Sequence, residues 1–178
     1  NLSETTFIFP SSHPDADFDV RIFTPEKEIP FAGHPTLGTA FVLRDSGMLA
    51  SSQNKLRLKF KAGLIPVSLE EDGKIFMTQP SGKIFQTFMN KERIAQALGL
   101  TENNLDELLP VQSASTGFPA LLVPINSLRA MQRIVLNLSL LKELLDEVGV
   151  DMIYPFTRQT CEEASSIHSR GFAPFIGI

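Results

Sequence analysis

Apolar and polar residues alternate along the first third of the chain as they do in antiparallel sheet. Phe18, Val20 and Ile22 fall on one side and Asp19 and Arg21 on the other, which is the two-residue period of a half-buried strand. Leu56, Leu58 and Phe60 repeat the pattern against Lys55, Arg57, Lys59 and Lys61. Two further apolar runs, 64–69 and 75–79, flank the polar stretch 70–74, and its Asp72-Gly73 pair predicts a hairpin turn. The connections are short, so these are consecutive strands.

The period changes after Phe31-Ala32-Gly33-His34. Pro35 suits the first position of a helix, where its missing N–H has no partner to lose. Over 36–43 the residues Leu37, Ala40, Phe41, Val42 and Leu43 are spread almost all round the helix. A helix apolar on every side is buried on every side, so the pattern predicts strands wrapped around one central helix. Further on, Asn90 predicts a capped helix over 91–98 that Gly99 ends, and a short helix follows over 102–109. The serine-containing stretch 110–117 reads as a domain boundary. Beyond it come a strand over 120–125 and a helix over 128–135. A second helix covers 138–148, with Leu138, Leu141, Leu145 and Val148 on one stripe and Gly149 closing it. A strand at 152–157 and one more within 169–178 complete the pattern. The predicted architecture is α+β in two parts, 1–112 and 113–178.

Composition narrows the function classes. The 178 residues carry a net charge of −4 and a pI of about 5.4, which argues against a nucleic-acid binder. The basic positions Lys55, Arg57, Lys59 and Lys61 share one strand face without interleaved aromatics, so they read as a solvated face rather than a base-stacking groove. The single cysteine, Cys161, excludes an internal disulfide and any multi-cysteine metal site. Its neighbours Glu162 and Glu163 disfavour a thiolate. His13, His34 and His168 lack metal-site spacing, so no metal is expected. The longest uncharged stretch, 108–128, is broken by Pro110, Pro119 and Pro124 and is no membrane span. The opening residues lack the basic and apolar regions of a signal peptide, which makes a cytoplasmic location the default. No Gly-x-Ser-x-Gly turn supports a hydrolase.

Two segments stand out as candidate chemistry. In Ser3-Glu4-Thr5-Thr6-Phe7 a carboxylate stands directly in front of an apolar strand, bracketed by hydroxyls. In Gly33-His34-Pro35-Thr36 a histidine stands at the start of the predicted central helix, whose free backbone N–H groups suit a substrate carboxylate. Glu4, among Phe7, Phe31 and Phe41, is a candidate general acid/base. The same residues also fit a solvated strand entrance and a helix cap, and the pattern alone leaves both readings open.

The runs NLSETTF, RIFTP and FAGHPTLGTA, followed by STGFPALLVPI, IYPFTR and IHSRGFAPFIGI, resemble the phenazine biosynthesis PhzF-like family, in order and over almost the whole chain. That resemblance implies a diaminopimelate epimerase-like fold. Two similar halves would each curl an antiparallel sheet around a central helix, with the active site in the cleft between them and the second half incomplete here. It also implies a cofactor-independent isomerase that moves a proton on a small carboxylate-bearing substrate. Glu4 matches the family's acid/base, and Gly33, His34 and Thr36 match its substrate contacts. The implied partners are a small-molecule substrate and a second copy in a homodimer, with no nucleic acid and no membrane. Family members begin with a strand and helix before NLSETTF and continue past the last run into an Asp-Pro-x-Thr-Gly-Ser-type motif. Together with the start at Asn1 and the stop at Ile178 in an apolar run, this predicts that both ends are internal to a longer chain. The competing class is a non-catalytic or truncated member with a binding or assembly role. Related racemases that use paired cysteines are excluded by the single Cys161.

Overall fold

The structure is a computed structural model that describes residues 2–178. It is α+β and divides into two compact units. The first holds residues 2–81 with 116–118 and Gly177, and the second holds 82–115, 119–176 and Ile178. The break at Ser81–Gly82 falls earlier than the 112/113 boundary expected from the sequence. Residues 83–88 form a strand that pairs with 111–115, and the helix 91–97 packs on the helix 138–148, so both belong with the later elements.

The first unit is a sheet crossed by one helix. Its elements are β1 (Thr5–Pro10), β2 (Phe18–Phe23), β3 (Glu28–Ile29), α1 (Gly33–Asp45), β4 (Lys55–Phe60), β5 (Gly63–Leu69) and β6 (Ile75–Met77). The strands run in the order β1-β2-β4-β5-β6, with β3 added to β2. All pairs are antiparallel except β2 and β4, which are parallel and joined through β3 and α1. The predicted alternation is present: Val20, Ile22, Leu56, Leu58 and Phe60 are buried, and Arg21, Lys55 and Arg57 are exposed. Each fully buried leucine or isoleucine contributes roughly 1.5–3 kcal/mol from the area it removes from water. Phe31 meets Phe60 edge to face at 5.6 Å, which closes the core beneath the start of α1. The hairpin turn at Asp72-Gly73 forms as expected, with Gly73 at φ +85° and the Glu70 N–H donating to the Lys74 carbonyl at 2.8 Å.

Helix α1 begins two residues earlier than the proline predicts, so Pro35 sits inside its first turn. It is not covered on every side. Pro35, Thr36, Thr39, Ala40 and Leu43 form the buried stripe at helical spacing. Phe41 and Val42 are exposed among the described residues.

The second unit repeats the plan with more helix. It contains β7 (Lys83–Phe88), α2 (Lys91–Ala97), a 3₁₀ turn (Glu102–Asn104), β8 (Val111–Ser115), β9 (Ala120–Pro124), α3 (Leu128–Gln132), α4 (Leu138–Val148), β10 (Met152–Thr157), β11 (His168–Ser169) and a last 3₁₀ turn (Pro174–Ile176). The order is β11-β10-β9-β8-β7, and again one pair, β9 with β10, is parallel and joined through helices. Asn90 Oδ1 accepts from the Arg93 N–H, the predicted cap, and Asn137 Oδ1 accepts from the Leu140 N–H, a cap not read from the sequence. Gly149 ends α4 in the left-handed region at φ +74°. The inward stripe of α4 is Leu141, Leu144 and Leu145; Leu138 is exposed. These pack with Ile94, Leu98, Leu121, Val123 and Ile153 into one core.

Candidate active site

Glu4 stands one residue before β1, whose register pairs Thr5 with Phe23 and Thr6 with Ile22. Its side chain is 9% exposed, unusual for a carboxylate at a strand entrance. One oxygen, Oε2, accepts a hydrogen bond from the Ser3 hydroxyl at 2.5 Å and lies 3.2 Å from His34 Nε2. The other oxygen, Oε1, makes no hydrogen bond among the described residues. The carboxylate is therefore held by one oxygen and open at the other.

His34 is the second residue of α1, and its side chain is 76% exposed. The helix opens from Ala32 in an extended conformation, and no side chain caps its first N–H groups. Gly33 packs closely against β6: a Cβ there would stand 3.1 Å from Met77 Cε and 3.7 Å from Gln79 Nε2. Thr36 is fully buried, and its hydroxyl donates to the Ala32 carbonyl at 2.6 Å. Of the four residues singled out from the sequence, the structure gathers Glu4, Gly33 and His34. It uses the Thr36 hydroxyl as an internal tie in the first turn.

A second link holds the strand and the helix together. Thr39 Oγ1 donates to Thr6 Oγ1 at 3.1 Å, joining the middle of α1 to β1. Ser3 and this threonine pair carry no pattern that hydrophobic periodicity detects; the hydroxyls around Glu4 are the only sequence signal for them.

The other residues considered lie elsewhere. The basic face of β4 is tied locally, with Arg57 Nη1 3.4 Å from Asp15 Oδ1 and the Arg57 N–H donating to Asp17 Oδ2. His13 Nδ1 accepts from the Asp15 N–H in a turn, and His168 lies in β11. Cys161 is exposed. Among the described residues no cluster of His, Cys, Asp and Glu side chains gathers at metal-binding distance. No helix there is long and apolar enough to cross a membrane. In the second unit Asp106 has a displaced affinity for protons. The Leu108 N–H, and then Arg158, hold it below the usual carboxylate range.

Comparison with known proteins adds a family to this geometry. The sequence model of the PhzC-PhzF family, described as phenazine biosynthesis-like protein, matches residues 1–178. A Bacillus subtilis protein named Uncharacterized isomerase YfhB is 35% identical over 179 residues, covering 98% of this chain and 60% of that protein. The Pseudomonas aeruginosa trans-2,3-dihydro-3-hydroxyanthranilate isomerase is 40% identical over 104 residues, covering 56% of this chain and 35% of its own length. A crystal structure of a Bacillus anthracis phenazine biosynthesis protein of the PhzF family superposes with a TM-score of 0.82 at 32% identity, over 99% of this chain and 60% of that one. The chain thus spans about 60% of the length of relatives it matches almost end to end.

Proposed function

Because this chain belongs to the phenazine biosynthesis-like PhzC-PhzF family, we propose that it serves a cofactor-independent isomerase that moves a proton on a small carboxylate-bearing substrate. The observation that carries the reading is the Glu4–His34 contact at 3.2 Å, with Oε1 of the same carboxylate left open. Relatives named as isomerases support it.

In this scheme Glu4 is the general acid/base. Oε1 takes a proton from one substrate carbon, leaving the electron pair delocalised on the substrate. The resulting carboxylic acid returns that proton to another carbon. No electrons leave the substrate, so the reaction is an isomerisation. Ser3 and His34 hold Oε2 and so fix the direction in which Oε1 points. Gly33 lets β6 close against the start of α1, since a Cβ there would stand 3.1 Å from Met77 Cε. The working form we propose is a cytoplasmic homodimer, and a solution mass equal to one chain would remove the dimer from the scheme.

Solvent exchange tests the reading. Trans-2,3-dihydro-3-hydroxyanthranilate, the compound named for the Pseudomonas relative, is the first substrate to offer. In deuterium oxide the intact protein should place deuterium on a substrate carbon during conversion. Glu4→Gln should slow conversion by about a hundredfold or more, the range a positioned acid/base supplies, without loss of the fold. Conversion by that variant at the unaltered rate overturns the role of Glu4.

A further inference from the structure

The side chain of His34 is mostly exposed, so packing does not fix the imidazole. Its place opposite Glu4 depends on where the backbone of the first turn of α1 stands. That turn has no side-chain cap at Ala32, and the permissive Gly33 comes between Ala32 and His34. The anchors lie just upstream. The Pro30 carbonyl accepts from the Ala62 N–H at 3.1 Å. Phe31 follows, buried, with its ring edge-on to that of Phe60 at 5.6 Å. The same ring meets the backbone of Gly117, one of the residues 116–118 that belong to the first unit. A Cβ on Gly117 would stand 2.6 Å from Phe31 Cδ1 and 3.1 Å from Cγ. Its φ of +136° is one that residues bearing a Cβ rarely adopt, so glycine is what lets the chain come this close.

We propose that Phe31 is a positioning residue: its ring, gripped by Phe60 and Gly117, sets the entry of α1 and through it the approach of His34 to Glu4. What the contact does in turnover rests on the isomerase reading, but the contact itself is measurable without a substrate. Two hydrogen bonds flank the ring, from Ala62 to the Pro30 carbonyl and from the Thr36 hydroxyl to the Ala32 carbonyl. A carbonyl accepts over a broad range of directions, so neither bond fixes how the segment between them is turned. A close-packed ring does, because at interior density it has few alternative placements. Peptide units are planar and hold successive Cα atoms about 3.8 Å apart, so a turn at Phe31 is passed on to His34 three residues later. Nε2 stands 3.2 Å from Glu4 Oε2, and a displacement of about 1 Å takes that pair out of hydrogen-bond range.

The test follows the imidazole nitrogen-15 signals of His34 in the intact protein, assigned by their loss in His34→Asn. In the otherwise unaltered protein Glu4→Gln should move these signals, because the two side chains touch. In Phe31→Leu, which stays apolar but gives up the ring, Glu4→Gln should move them less than about half as far, the mark of a lost coupling. For trans-2,3-dihydro-3-hydroxyanthranilate, Phe31→Leu alone should lower kcat about tenfold and leave KM within about twofold. Phe31→Met, closer to the ring in volume, should behave alike, so the test does not depend on one variant folding. Leu56→Val is the control: Leu56 is buried in β4, and its truncation should lower the melting temperature while the His34 response and kcat stay as they were. A full His34 response in both Phe31 variants, an equal loss of response in Leu56→Val, or an unchanged kcat beside a lost response overturns the role of Phe31 and leaves that of Glu4 standing. Signals that Glu4→Gln does not move in the otherwise unaltered protein overturn the contact and this inference with it. Absence of conversion by the unaltered protein overturns the isomerase reading, and the resonance comparison then still decides whether Phe31 sets the contact.

Discussion

Thr39 Oγ1 donates to Thr6 Oγ1 at 3.1 Å, and this bond ties the helix that carries His34 to the strand that follows Glu4. Thr39 is buried and Thr6 half-buried, so water does not readily replace the bond. Replacing Thr39 by valine keeps the shape and removes the donor. The expected result is a loss of about 1 kcal/mol in urea denaturation. Turnover should fall by roughly tenfold, because small misplacements of catalytic groups are costly. Unchanged stability and unchanged turnover together would show that the link does not position the site.

Ser3 acts on the same carboxylate from the other side. Its hydroxyl donates to Glu4 Oε2 at 2.5 Å while the serine itself is exposed. Ser3→Ala should therefore leave the melting temperature within about 1 °C and lower kcat about threefold to tenfold, with KM little changed. Ser3→Thr, which retains the hydroxyl, should recover most of the rate. A threonine variant as slow as the alanine variant would show that bulk at this position matters and the hydrogen bond does not.

How much of this was legible in the sequence depends on what fills the inward positions. The strands of the first unit were readable because their inward residues are Val20, Ile22, Leu56, Leu58 and Phe60, all apolar. Strand β8 lies within the serine-containing stretch that reads as a boundary, because one of its inward positions is Ser113. That side chain is 3% exposed, and its hydroxyl accepts from the Gln86 N–H. Strand β7 is almost wholly exposed, so burial imposed no alternation on it. The helix expected at 102–109 is a single 3₁₀ turn, since Leu105 leaves it in an extended conformation and bridges to Ile125. At the site, Glu4, Gly33 and His34 stood out through their motifs. The Thr6–Thr39 pair did not, because its two members lie 33 residues apart and meet only in the fold.

Gly33 has room for hydrogen and little else. A methyl group there would stand 3.1 Å from Met77 Cε, the flexible end of a side chain, so the neighbour can yield. Gly33→Ala should fold with a stability change below about 1 kcal/mol. It should lose activity severalfold as Met77 and Gln79 are pushed from the helix start. Shortening the neighbour in the double variant Gly33→Ala with Met77→Ala should return part of the lost activity, a coupling expected of residues in contact. Strict additivity of the two losses would place the fault in the backbone of α1 instead.

Asp106 gives the second unit a pH dependence whose sign is fixed by its bonds. The Leu108 N–H donates to Oδ1 at 2.8 Å and Arg158 Nη2 to Oδ2 at 3.0 Å, and both favour the charged carboxylate. A carboxyl held below its ordinary value stabilises the folded chain at every pH above that ordinary value. The contribution fades as pH falls through the window from about pH 4 down to the lowered value. Asp106→Asn retains an acceptor for Leu108 and abolishes the titration. Urea midpoints of the two proteins should therefore differ most above pH 5 and converge as pH falls below about 4. Taking the difference between the proteins cancels Glu28 and Asp72, which are lowered by Arg21 and Lys74 and titrate alike in both. A gap that stays constant down to pH 2 would show that the pair of bonds shapes the loop without favouring the charge.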